Sequence, residues 1–84
     1  MTEHILKIHQ RPLDDLLSGA KTAEVRDCSD RDFQVGDTVR LRELSSSGYT
    51  GRCIVRTITH IQVGYGLPEG LCVLSYAPVV SEVS

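Results

Sequence analysis

Lys21, Glu24 and Arg26 are the residues of this 84-residue chain whose types and spacing suit a site. Side chains alternate along an extended strand, so Glu24 and Arg26 share a face, with Thr22 on the same side. Lys21, at the start of the segment, is close enough to swing over that face. If the three charges are partly buried, Glu24 holds both cations in a fixed array, and such a pocket takes a phosphate, a carboxylate or a nucleobase edge. If they are exposed, they form a solvated ion-pair network that contributes little.

Several elements must place this group. The segment HILKIH, from His4 to His9, mixes apolar and polar residues in the manner of a short first strand. Pro12 then opens a helix, because its missing N–H is tolerated in the first turn. Leu13, Leu16 and Leu17 follow at helical spacing and predict one buried face, with Asp14 and Asp15 in the first turn, where the helix dipole favours negative charge. Gly19 is the left-handed stop. Thr22 to Asp27 reads as the second strand. A polar loop, with Phe33 as its packing anchor, ends in the turn at Gly36 and Asp37.

Thr38 to Leu44 alternates as a half-buried strand, with Val39 and Leu41 set against Arg40 and Arg42. The Ser45–Gly48 loop joins it to a β-branched strand from Cys53 to Ile61. A glycine-rich stretch from Gly64 to Gly70 precedes the last strand, Leu71 to Tyr76. The expected architecture is mainly β (α+β): a small barrel of about five strands with one short helix after the first. We expect a single domain over 1–84, a core over about 4–76 and a frayed tail over 78–84.

Composition sets bounds on function. No apolar run approaches the roughly 18 residues needed to cross a bilayer. The Met1–His4 start lacks the marks of a secretion signal, so the expected location is cytoplasmic. Cys28, Cys53 and Cys72 are odd in number and lack a C-x-x-C pair, which suggests neither a disulfide framework nor a zinc site. Three reduced thiols are expected, with Cys53 and Cys72 in the core. His4, His9 and His60 are scattered, so no metal and no cofactor are expected.

A net charge of −2 argues against a broad basic nucleic-acid face. The acids Asp27, Asp30, Asp32 and Asp37 cluster just before a segment, 40–56, that carries +3 from Arg40, Arg42, Arg52 and Arg56 against Glu43. That segment leaves room for a local basic strip. A monomer is the default expectation.

The pattern G-x-K-x-x-E-x-R, here Gly19, Lys21, Glu24 and Arg26, resembles the signature of the activating-signal-cointegrator-homology (ASCH) domains. These are relatives of the pseudouridine-synthase-and-archaeosine-transglycosylase (PUA) domains. The ordered pieces HILKI, LLSGAKTAEVR, DRDFQVGDTVRLRE, GYTGR and GYGLPEG-LCVLSY are similar to a small bacterial and phage family of PUA-like proteins of unknown function. The resemblance implies a PUA-like β-barrel whose cleft beside the helix is lined by Lys21, Glu24 and Arg26, with Gly19 a backbone requirement. It also implies RNA or a nucleotide as the partner. Asp32, Phe33, Gly36 and Asp37 fall in a second family motif and read first as turn and packing residues.

Three functions follow. In the first, a binding module, Lys21 and Arg26 contact phosphate or a base edge, Glu24 orients them or accepts from a base amine, and Tyr49 or Tyr65 stacks. With three Tyr, one Phe and no Trp, a short motif or single nucleotide suits it better than extended single strands. The second is an enzyme. Some small bacterial ASCH proteins hydrolyse the amide of an acetylated cytidine with a lysine, a threonine nucleophile and a glutamate. By that resemblance Lys21 is retained, while Glu24 stands at the nucleophile position and Ser75 at the carboxylate position, so no catalytic residue is assigned. The third is a phage-derived protein-interaction module using the arginines of the hairpin.

Overall fold

Alternation of apolar and polar residues builds most of this molecule. The computed structural model describes residues 1–29 and 31–79. The elements run β1 (Glu3–Ile8), α1 (Gln10–Ser18), β2 (Ala23–Asp27), β3 (Thr38–Ser45), β4 (Gly48–Gln62) and β5 (Leu71–Pro78). They form one five-stranded sheet in the order β1-β3-β4-β5-β2. β1 lies parallel to β3, and every other pairing is antiparallel. The sheet curls into a half-barrel, with β1 and β2 as its two edges. This is the expected mainly β fold with one helix after the first strand.

The inner face carries Ile8, Val39, Leu41, Ile54, Ile58, Cys72, Leu74 and Tyr76, and α1 adds Leu13 and Leu16. Phe33 closes the core from the loop before β3, as expected of an anchor, its ring 4.7 Å from that of His4. α1 packs against β3 and β4. Gly19 ends it in the left-handed region, at φ 82°, and donates to the Leu16 carbonyl.

Several expectations are corrected. The helix starts at Gln10, not at Pro12, so Asp14 and Asp15 leave the first turn. Leu17 is 51% exposed, because one turn of sheet contact is satisfied by Leu13 and Leu16. Cys53 is exposed, whereas Cys72 is buried as expected. β4 is longer than its β-branched run because residues from Gly48 pair back on β3 after a turn at Ser46 and Ser47. Pro78 pairs with Arg56 and so belongs to β5, not to a frayed tail. Residues 80–84 of that tail, and Asp30 of the acid cluster, lie outside the described residues.

The same alternation divides the arginine strip. Arg40 and Arg42 point outward from β3, while Arg56 lies between the buried Ile54 and Ile58 and points inward. Arg40 pairs with Glu3, and Arg42 sits 3.9 Å above the Tyr49 ring. Arg52 turns toward α1, where it bonds Asp14. Arg56 is thus set apart from Arg40, Arg42 and Arg52, which line one shallow depression with Glu43 among them.

Candidate functional site

Where β1 and β2 fail to pair, a seam remains, and at one end of it lies a cleft of about 390 Å³. Its lining includes Lys7 from β1, His9 between β1 and α1, Pro12 from α1, and Lys21, Glu24 and Arg26 from β2 and its approach. All three charged residues line this cleft, Glu24 and Arg26 on the face that alternation gives them and Lys21 from the corner before the strand, but Glu24 pairs with Arg26 alone and does not hold both cations as expected.

Alternation places Glu24 on the inner face while Val25 points out, 55% exposed. Glu24 is only 8% exposed, and a carboxylate so placed requires donors. Arg26 Nε donates to Glu24 Oε1 at 2.9 Å, and the Tyr76 hydroxyl donates to the same oxygen at 2.7 Å. Oε2 receives no hydrogen bond among the described residues and is left to the cleft. Burial, then the charge of Glu24, push the Tyr76 hydroxyl above its ordinary range, so it remains a donor.

Arg26 also bonds outside this group. Its Nη2 donates to the Lys7 carbonyl at 2.9 Å, so one guanidinium fixes Glu24 and ties the two edge strands across the seam. Lys21 enters the cleft without pairing to Glu24, and no ion pair forms on it among the described residues. Its backbone N–H donates to the Asp15 carbonyl, which fixes the corner after Gly19.

Thr22 is not a member of the cleft. It is exposed, its carbonyl accepts from the Tyr76 N–H, and it lines a neighbouring depression. Ser75 pairs with Ala23 and alternates away from Tyr76 and Glu24, so it brings nothing to the site. Tyr49 and Tyr65 stand elsewhere, the first under Arg42 and the second 94% exposed in a loop.

Gly36 and Asp37 form the expected turn, with Gly36 at φ 97°. Asp37 has a larger part than a turn residue. It accepts from the Thr2 and Gln34 backbone N–H groups and from His4 Nε2 at 2.8 Å, which binds the chain start and the loop to β1. Asp32 accepts from the Gln34 side chain in the same loop. No group of three metal-ligating side chains is present among the described residues.

A larger cavity, of about 740 Å³, lies on the other side of the α1 start, near Glu43, Thr50 and Arg52. Its charged groups bond one another. A bulge sets Thr50, Gly51 and Arg52 opposite the single residue Glu43, and Thr50 and Arg52 both bond its carboxylate. Arg52 then reaches Asp14. This is a brace between hairpin and helix in which Asp14, Glu43 and Arg52 neutralise one another, while His9, Gln10 and Ser46 also line the cavity and make no side-chain hydrogen bond among the described residues. The seam cleft, with a free carboxylate oxygen and a free ammonium, is the stronger candidate.

Tyr76 and the inward-facing Arg56 are the residues near this site that a reading by motif misses. Alternation from Cys72 through Leu74 to Tyr76 in the last strand was the available signal for the tyrosine.

The chain is 38% identical over 58 residues to the "Uncharacterized 12.9 kDa protein in GpA 3'region" of Escherichia phage P2, covering 69% of this chain and 52% of that protein. It is 39% identical over 49 residues to an N(4)-acetylcytidine amidohydrolase of Citrobacter koseri, covering 58% of this chain and 48% of the enzyme. The chain thus spans about half the length of the curated relatives it matches. Residues 3–76 match the family described as "Domain of unknown function (DUF3850)", and the chain belongs to that family.

Proposed function

We propose that the seam cleft is a nucleoside site, and that it grips a cytosine-type base by its amine edge. Glu24 carries this reading: Oε1 is fixed by Arg26 and Tyr76, and Oε2 is free to accept from the cleft. A carboxylate oxygen is the partner that a cytosine N4–H calls for. Because Arg26 and Tyr76 are themselves held, the acceptor is pre-oriented, which reduces the ordering that binding would otherwise require. Lys21 supplies a cation at the rim for the sugar or its substituents.

The cleft is at the lower end of the about 300–1,000 Å³ range of small-ligand sites, which suits one nucleoside or nucleotide. A base presented by RNA offers the same edge, but with Tyr49 and Tyr65 remote there is no stacking platform for a run of bases. The G-x-K-x-x-E-x-R pattern and the cleft beside a half-barrel also support placing the domain with the ASCH and PUA-like domains.

The likeness to an N(4)-acetylcytidine amidohydrolase favours a second reading, hydrolysis at the same cleft. With Glu24 where the resemblance puts the threonine nucleophile, water itself would attack the acetyl carbonyl. Glu24 Oε2 would take the water proton and return it to N4 as the C–N bond breaks, releasing acetate and cytidine, while Lys21 would face the developing oxyanion.

An NMR titration of the labelled protein with cytidine and N4-acetylcytidine, followed by chromatography of the mixture, tests both readings. The expected result is amide shifts centred on 7–9 and 21–26 that disappear in Glu24→Gln. Shifts with no cytidine released identify a binding domain, and release abolished by Glu24→Gln identifies the hydrolase. No shifts at millimolar ligand would reject both.

A further inference from the structure

We infer that a phosphate subsite adjoins the cleft, formed by Lys21 and Arg56, so that the ligand is a phosphorylated nucleoside; the inference rests on the nucleoside reading above. A depression of about 250 Å³ lies on the far side of Lys21, and Ser18, Thr22, Arg56 and Tyr76 are among the residues that line it. Lys21 lines both this depression and the seam cleft. Tyr76 joins them as well: it borders the depression, while its hydroxyl reaches Glu24 on the cleft side. A ligand held at Glu24 by its base therefore extends naturally toward Arg56.

The charge of the depression is unbalanced. Among the described residues that line it, two are cations and none is an acid. Arg56 sits on the inner face of β4 between Ile54 and Ile58, where an arginine is unusual without a partner. Yet its one hydrogen bond among the described residues runs from Nη1 to the adjacent Val55 carbonyl, at 3.0 Å, and no carboxylate there pairs with it. Lys21 is equally without an ion pair among those residues. Arg40 and Arg52, by contrast, are both neutralised by acids.

The end of α1 does not oppose an anion here as strongly as a bare helix terminus would. The Asp15 carbonyl already accepts from the Lys21 N–H and the Ser18 hydroxyl, and the Leu16 carbonyl accepts from the Gly19 N–H. The donors left over are the Lys21 ammonium, the remaining guanidinium N–H groups of Arg56 and the Thr22 hydroxyl. Planar guanidinium N–H groups and an ammonium are suited to phosphate oxygens. This assigns a place to Thr22, which the seam cleft itself leaves out. A nucleotide monoester and an RNA diester present the same oxygens to such a site.

The test measures affinities of cytidine, cytidine monophosphate and the dinucleotide cytidylyl-adenosine by NMR at low salt, with wild type, Arg56→Gln and Arg56→Lys. Folding of each variant is checked from its amide spectrum. The expected result is that the monophosphate binds wild type at least about tenfold more tightly than cytidine. That ratio falls toward one in Arg56→Gln and is largely kept in Arg56→Lys. A dinucleotide that binds more tightly than the monophosphate assigns the phosphate to RNA, and the reverse assigns it to free nucleotide.

Equal affinity of wild type for cytidine and its monophosphate overturns the subsite but leaves the nucleoside reading standing, and so does an advantage that survives Arg56→Gln. If neither ligand binds, the nucleoside reading fails, and inorganic phosphate decides the subsite alone. Shifts at Lys21, Thr22 and Arg56 would uphold an anion site, and their absence would remove it.

Discussion

Glu24, Asp37 and Glu43 are carboxylates buried in a small sheet, and each meets the cost of desolvation with a different set of donors. Asp37 is held down to about 2, from an ordinary 3.8, chiefly by the Thr2 N–H and then by His4. Glu43 is held down to about 2, from 4.5, chiefly by the Arg52 guanidinium and then by the Thr50 hydroxyl. A carboxylate whose pKa is lower folded than unfolded stabilises the fold above its unfolded value, and that contribution is lost as pH falls toward the folded one. The urea midpoint is therefore expected to drop between about pH 4.5 and 2. Asp37→Asn and Glu43→Gln should each be less stable at pH 7 and show a shallower drop over this window. An unchanged slope in both variants would contradict the assignment.

The shared face of Glu24 and Arg26 was legible in the sequence because it depends only on alternation within one short strand, whereas Lys21 lies before that strand and reaches the cleft from the corner after Gly19. The partners that complete the buried acids were not. Tyr76 meets Glu24 through the β2–β5 register, and Thr50 and Arg52 meet Glu43 through a bulge, both set by pairing between distant segments.

At the scale of elements, α1 separates what a hydrophobic pattern specifies from what it does not. Leucines at helical spacing identify the helix correctly, but the width of the buried stripe depends on what the helix rests on. Leu13 is fully buried against the sheet, whereas Leu17 is half exposed. Leu13→Ala is expected to lower stability by about 2–5 kcal/mol, and Leu17→Ala by under about 1 kcal/mol, in urea unfolding. Similar losses for the two would mean that the helix is rotated from this packing. Cys53 and Cys72 make the same point for strands. Both lie in apolar runs, and only the register of β4 against β3 turns Cys53 outward beside Arg40.

The molecule as a whole is a sheet that stops short of closing, and its candidate site lies where closure fails. Arg26 is the one side chain described here that bonds both edges, through Lys7 on β1 and Glu24 on β2. Arg26→Gln should cost about 1.5–3 kcal/mol, the usual scale for a hydrogen bond to a charged group. Backbone amide exchange should quicken in β1 and β2 more than in the β3–β4 hairpin. Uniform quickening across the sheet would show that Arg26 does not act as a tie. The strand order was legible only as a class of fold, since nothing local says that β2 crosses to the far edge beside β5.

Function then turns on which opening receives the ligand, the seam or the larger cavity braced by Glu43 and Arg52. A crystal structure of the protein soaked with N4-acetylcytidine decides this directly. The predicted result is the base in the seam, with its N4 nitrogen about 3 Å from Glu24 Oε2. A base lodged instead beside Thr50 and Arg52, or in the seam with its amine edge turned away from Glu24, would contradict it.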